Sequence, residues 1–209
     1  MIEPTVLITY TAVAIGFVFL PGPAMLLTLT RAVSSGARVG IATGAGIAAG
    51  DMIHTVMAVI GISAVIAASA MLFSIIKYIG AAYLVYLGVG ILLKKNLMDL
   101  PSGAGAISPG TAFRQAVLAE VLNPKTALFF LALLPQFVHP ENGSVMAQLA
   151  VLGTLYVALG FGGTILFAVS AGALGNFLRR SPTVLKWQSK AVGGIYCALG
   201  IRLALQQNA

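Results

Sequence analysis

Apolar residues gather along this chain into long runs, and charged residues fall in short clusters between them. No Asp, Glu, Lys or Arg occurs in residues 4–30, 52–76 or 142–178. A helix needs about 20 apolar residues to cross the hydrocarbon core of a bilayer, so each run is long enough to cross. The pattern predicts helices near residues 5–30, 39–66, 71–93, 112–134, 145–172 and 189–206. The turn around Ala67–Ala70 is poorly marked and Arg202 interrupts the last run, so five crossings stay open beside six. The fold class expected is an all-α integral membrane protein with six transmembrane helices, residues 1–209 forming a single transmembrane domain.

Composition agrees. Only 8% of the 209 residues are charged, against about a quarter in soluble domains. The net charge of +7 does not point to nucleic acid, because the basic residues sit in the connecting segments, where topology determinants belong. Arg31 and Arg38 follow the first run; Lys94, Lys95 and Arg114 flank the third and fourth; Arg179, Arg180, Lys186 and Lys190 flank the fifth and sixth. The opposite side carries only Lys77 and Arg202, with Glu3, His139 and Glu141 nearby. The positive-inside rule then puts both termini outside the cytoplasm. Cys197 is the single cysteine, so neither an internal disulfide nor a Cys-x-x-Cys site is available. Glu3 and the lack of a basic start suggest a retained first span rather than a cleaved signal peptide.

The Gly-, Pro- and Ser-rich linker at 96–111 divides the chain into halves, 1–95 and 112–209. KYIGAAYLVYLG from Lys77 and KAVGGIYCALG from Lys190 share Lys, Gly and Tyr at the same spacing, at 77, 80, 83 and 190, 193, 196. Pro23 and Pro124 take corresponding places in the first and fourth spans. Three spans per half would make these inverted repeats, an arrangement many secondary transporters use; the competing explanation is chance similarity among Gly-rich apolar helices.

Helices 1 and 4 are predicted to break at proline. Proline removes a backbone donor and displaces the carbonyl four residues earlier, so Pro21 and Pro23 free the carbonyls of Phe17 and Phe19, and Pro124 frees that of Glu120. Gly22-Pro23 and Asn123-Pro124 both read as a cap followed by a first helical residue. Two half-helices starting inside the bilayer would turn N–H groups and positive dipole ends toward an anion such as a carboxylate, with Lys125 adding a full charge. The plainer reading is a pair of kinks.

Ionisable groups within spans are costly and are functional candidates by default. Gly36, Gly40, Gly44 and Ala48 form a small-residue stripe, and Asp51 lies on the same face. Asp51 could carry a proton, hold a substrate ammonium group, or sit in a permanent ion pair with Lys125. Glu120 shares a face with Asn123 and reads either as a second titrating group or as the partner of a basic residue. Lys125 falls off that face in a regular helix. His54 reads as a core histidine or a site residue, Tyr83 and Tyr196 as packing residues, and Gly160 to Gly163 as a hinge or a close helix contact.

FLPGPAMLL at 19–27, GxxxG followed by Gly-Asp at 40–51, GAAYLVYLG at 80–88 and LNPKTALFFLALLPQF at 122–137 make the chain resemble the LysE/RhtB family of amino-acid exporters along nearly its whole length. That resemblance implies proton-driven export of amino acids or derivatives across the bacterial inner membrane, with no cofactor. It implicates Pro21, Gly22, Pro23, Asp51, Asn123, Pro124 and Lys125. Glu120 stands where many members carry a neutral residue, and Ala116 where they often carry Gly, so the accepted substrates are expected to differ. The expected function is antiport by alternating access. Gly22, Pro23, Asn123, Pro124 and Lys125 would bind substrate, and Asp51 and Glu120 would take the proton or the ammonium group. The expected partners are a small amino acid, protons and the lipid bilayer, with a homodimer possible and no nucleic acid. A metal-ion exporter using Asp51, His54 and Glu120 is the alternative. No nucleophile or cofactor motif points to an enzyme.

Overall fold

The computed structural model describes residues 2–19, 22–68, 70–93 and 107–180, and individual helical positions between 187 and 205. All regular structure among these residues is helical. The first run is two helices, α1 (Pro4–Phe19) and α2 (Pro23–Ser35). Gly22 is extended at φ −139° and ψ −179° and Pro23 opens α2, the cap-then-proline start expected there; Pro21 lies outside the described residues. Gly36 ends α2 at φ +90°, a conformation that favours glycine, and the chain re-enters helix at once as α3 (Ala37–Ala68). α4 (Ala70–Leu93) follows, which places the poorly marked turn where it was expected.

α5 (Pro109–Val121) begins inside the expected linker. Ser108 accepts a hydrogen bond from the Thr111 amide at 3.2 Å, and Pro109 occupies the first turn, where its missing N–H costs nothing. The linker residues 96–106 lie outside the described set. α5 stops at Val121 and α6 (Pro124–Leu128) follows; the stretch Pro124–Phe137 is bent 46° from α5. The fourth run then departs from regular helix. Residues Phe129–Leu133 form a π-helical turn, closed by the Leu134 amide on the Phe129 carbonyl, and Leu134–Phe137 form a 3-10 turn. Pro135 has no amide to offer the carbonyl of Leu131, so the ordinary ladder cannot continue. α7 (Val145–Arg180) runs eight residues beyond the expected end at 172.

α3 is the central element and packs on α2, α5 and α7. It does so through two small-residue faces. A Cβ on Gly40 would lie 2.9 Å from that of Ala168 on α7, and one on Gly44 would lie 2.9 Å from that of Thr164. Around the helix, a Cβ on Gly46 would lie 2.8 Å from that of Ala116 and one on Gly50 would lie 2.6 Å from that of Glu120, both on α5. The stripe thus serves packing within one chain, and the second face was not anticipated. An aromatic cluster closes one side of the interior. Phe129 packs 4.8 Å from Phe17 and 4.2 Å from Tyr156 between ring centroids, and the Tyr10 hydroxyl donates to the Leu152 carbonyl at 2.8 Å.

Apolar side chains cover the outside as well as filling the core. Ile8, Ile60 and Val169 face outward, while Thr43, Asp51, His54, Glu120, Asn123 and Thr126 are buried among apolar neighbours. That is the arrangement a lipid solvent selects. Among the described residues, two helical stretches, Ala37–Ala64 and Val145–Ala171, are each long and apolar enough to cross a bilayer, and the bent pairs Pro4–Phe19 with Pro23–Ser35 and Pro109–Val121 with Pro124–Phe137 bring the number to four by length and composition. The expected third run coincides with α4, and much of 189–206, including Tyr196 and Arg202, lies outside the described residues. Lys77 is buried (1% exposed), with its ammonium 5.0 Å from the Tyr78 ring centroid.

Candidate functional site

Two of the three carbonyls that the prolines release, those of Phe17 and Glu120, are each met by a side chain from another span. The Phe17 carbonyl, which Pro21 deprives of its amide, accepts a hydrogen bond from Lys125 Nζ at 2.9 Å. The same ammonium lies 4.7 Å from the Phe17 ring centroid, close enough for cation–π attraction. The Glu120 carbonyl, released by Pro124, accepts from the Asn123 amide at 3.0 Å and faces His54 Nε2 at 3.1 Å. A carbonyl only accepts, so Nε2 carries the proton in that contact.

The break at Asn123 decides where Lys125 goes. Asn123 Oδ1 caps α6 by accepting the Lys125 amide at 3.1 Å. The change of direction carries the Lys125 side chain across to the first bent pair, over Gly22. A Cβ on Gly22 would lie 3.1 Å from Lys125 Cδ. The two breaks therefore touch through Lys125. Pro23 and Pro124 are both exposed, so they shape the chain and do not line the interior.

Glu120 is 3% exposed and well supplied with donors. Asn123 Nδ2 lies 3.1 and 3.2 Å from its two carboxyl oxygens, and the Thr126 hydroxyl donates to Oε1. Asp51, also 3% exposed, is brought to it by Gly50. The two carboxyl groups line the same cavity. Among the described residues, Asp51 Oδ1 is buried with no hydrogen-bond partner, and a buried polar atom left in that state is costly. Asp51, Glu120, Asn123, Lys125, Thr126 and Thr164 form the polar wall of a cavity of about 40 Å³; Val18, Met25, Ile47, Tyr156 and Phe167 form much of the apolar wall.

Asp51, Glu120, Asn123 and Lys125 are thus gathered in one place, with Gly22 behind Lys125. His54 stands behind Glu120 and stacks on Phe130 with ring centroids 5.7 Å apart. Among the described residues, no three His, Cys, Asp or Glu side chains are placed to hold a metal ion. Thr126, Tyr156, Gly160 and Thr164 were not expected as site residues. Thr126 reaches Glu120 across a helix break, so no helical spacing announces it. Tyr156, Gly160 and Thr164 follow one another at intervals of four on α7, a spacing that does put them on one face.

The family model for LysE type translocators matches residues 15–207. The chain is 38% identical over 162 residues to the uncharacterized membrane protein YrhP of Bacillus subtilis, covering 73% of this chain and 77% of the relative. It is 33% identical over 201 residues to an uncharacterized membrane protein of Vibrio cholerae, covering 94% and 95%. It is 30% identical over 189 residues to a homoserine/homoserine lactone efflux protein of Salmonella typhimurium, covering 90% and 91%. No solved structure matches significantly. A match over this much of its length, carried by a membrane-type helical fold, means that the chain belongs to the LysE type translocator family.

Proposed function

We propose that this protein exports a small amino acid, or a derivative of one, from the cytoplasm across the bacterial inner membrane by proton-coupled antiport. The observation that carries the reading is the cavity at the meeting of the two bent pairs, with two carboxyl groups and a lysine on its wall. The efflux protein named among the relatives supports an amino-acid type of cargo.

An amino acid presents one ammonium and one carboxylate, and the cavity offers the complement of each. Lys125, carried into the cavity by the break at Asn123, takes the carboxylate. Asp51 and Glu120 take the ammonium. Two carboxyl groups in one buried site favour holding a proton between them, and a cation that binds there takes its place. Proton and substrate ammonium therefore compete for the same place, which is the minimal requirement for exchange.

A cavity of about 40 Å³ has room for a few waters and is far below the roughly 300 Å³ at which small-molecule pockets begin. Loading needs the bent pairs to separate, and the contact that then breaks is Lys125 on the Phe17 carbonyl. A substrate carboxylate replaces that carbonyl, which gives the substrate the differential affinity a conformational change requires. Two inverted halves, 1–95 and 112–209, rocking about this place would complete alternating access.

The test is counterflow and pH-gradient-driven transport in proteoliposomes, for wild type and Asp51→Asn, with a panel of labelled amino acids. Asp51→Asn should lose response to the pH gradient. Wild-type coupling in that variant would remove the proton role, and no transport of any panel member by wild type would remove the export reading.

A further inference from the structure

Between residues 145 and 171, α7 carries glycines at 153, 160, 162 and 163, and packing explains only some of them. A Cβ on Gly153 would collide with Thr55 on α3, and one on Gly163 would lie 2.9 Å from Val18 on α1. Gly162 is exposed and meets nothing within 4 Å. Gly160 is different from all three. It is buried, yet a Cβ there would meet only Asp51 Oδ2 at 3.5 Å and Val18 Cγ2 at 3.9 Å, which are ordinary contacts. Alanine is also the better helix former. Neither helix packing nor propensity calls for glycine at this position.

What the missing side chain leaves is space on the cavity wall beside Asp51, the residue whose Oδ1 is buried without a partner among the described residues. The wall around that space cannot easily yield. α7 is clamped to α3 on either side of Gly160, by Thr55 against Gly153 and by Thr164 against Gly44.

We infer that Gly160 is a specificity-determining residue: its bare backbone keeps open the space beside Asp51 that receives the ammonium end of the substrate. The inference rests on the export reading above. A methyl group at 160 takes up much of a small, rigidly walled space, so the bound amine loses its seat while the rest of the helix is unaffected.

The probes are radiolabelled L-homoserine, L-threonine and L-serine in proteoliposome counterflow, with wild type, Gly160→Ala and Gly162→Ala. For each probe that wild type carries, Gly160→Ala should raise KM by about tenfold or more, the scale on which one methylene discriminates in a pocket. Its kcat should change little, its thermal midpoint should not fall below that of wild type, and Gly162→Ala should behave as wild type. An unchanged KM in Gly160→Ala overturns the inference and leaves the export reading standing. A loss of transport matched by a loss of thermal stability also overturns it, since a packing role would produce that pair. Transport of none of the three probes by wild type sinks the export reading, and the inference with it.

Discussion

Asn123 does two separable jobs, and substitution can pull them apart. Its Oδ1 accepts the Lys125 amide at the start of α6, and its Nδ2 donates to the carboxyl group of Glu120 at 3.1 and 3.2 Å. Losing an N-cap costs about 1 kcal/mol. Hydrogen bonds inside membrane helix bundles average about 0.6 kcal/mol and reach about 1.7. A buried carboxyl acceptor belongs near the top of that range, and Thr126 still holds Glu120 after the change. Asn123→Ala should therefore lose about 2.5 kcal/mol, the sum of the two contributions. Asn123→Ser keeps a capping oxygen and loses the amide donor, so it should lose about 1.5 kcal/mol. Reversible unfolding of the detergent-solubilised protein, followed by circular dichroism, measures both. Equal losses in the two variants would show that the cap is not formed, and two neutral variants would show that neither contact exists as described.

Two further outcomes follow from the packing and from the charges. Gly44→Ala places a Cβ 2.9 Å from that of Thr164; overpacking of this kind should destabilise by about 1–3 kcal/mol, read in the same unfolding assay, and wild-type stability would mean that α3 and α7 do not meet there. The basic segments around Arg31–Arg38, Lys94–Arg114 and Arg179–Lys190 should hold both termini outside the cytoplasm, so a C-terminal alkaline phosphatase fusion should be active and a C-terminal green fluorescent protein fusion dark; the reverse pattern would overturn that topology.

Much of the architecture is legible in the chain itself. Charge-free runs, capping residues and proline are local signals, and each acts within a turn or two of chain. They are enough for a membrane class, for the break between Gly22 and Pro23, for the break between Asn123 and Pro124, and for Asp51 on the inward face of α3. The proline arithmetic also names Phe17 and Glu120 as residues whose carbonyls need partners. The motifs PGP and LNPK carry the family resemblance, and the match over residues 15–207 agrees with it.

The partners of those carbonyls are not legible in the same way. A regular helix would turn Lys125 away from Glu120 and Asn123, and only the change of direction at Asn123 sends it to Phe17. His54 and Thr126 reach Glu120 from another helix and from across a break, distances that no periodicity in the sequence encodes. The π-helical turn at Phe129–Leu133 likewise depends on how the chain beyond Pro135 packs. The residues of this chain by themselves determine which segments are helical, where those helices break, and which face of each is too polar for lipid. Tertiary structure alone decides which polar groups share a cavity. Side chains that meet there come from α3, α5, α6 and α7, and their meeting depends on the crossing geometry of helices far apart in sequence.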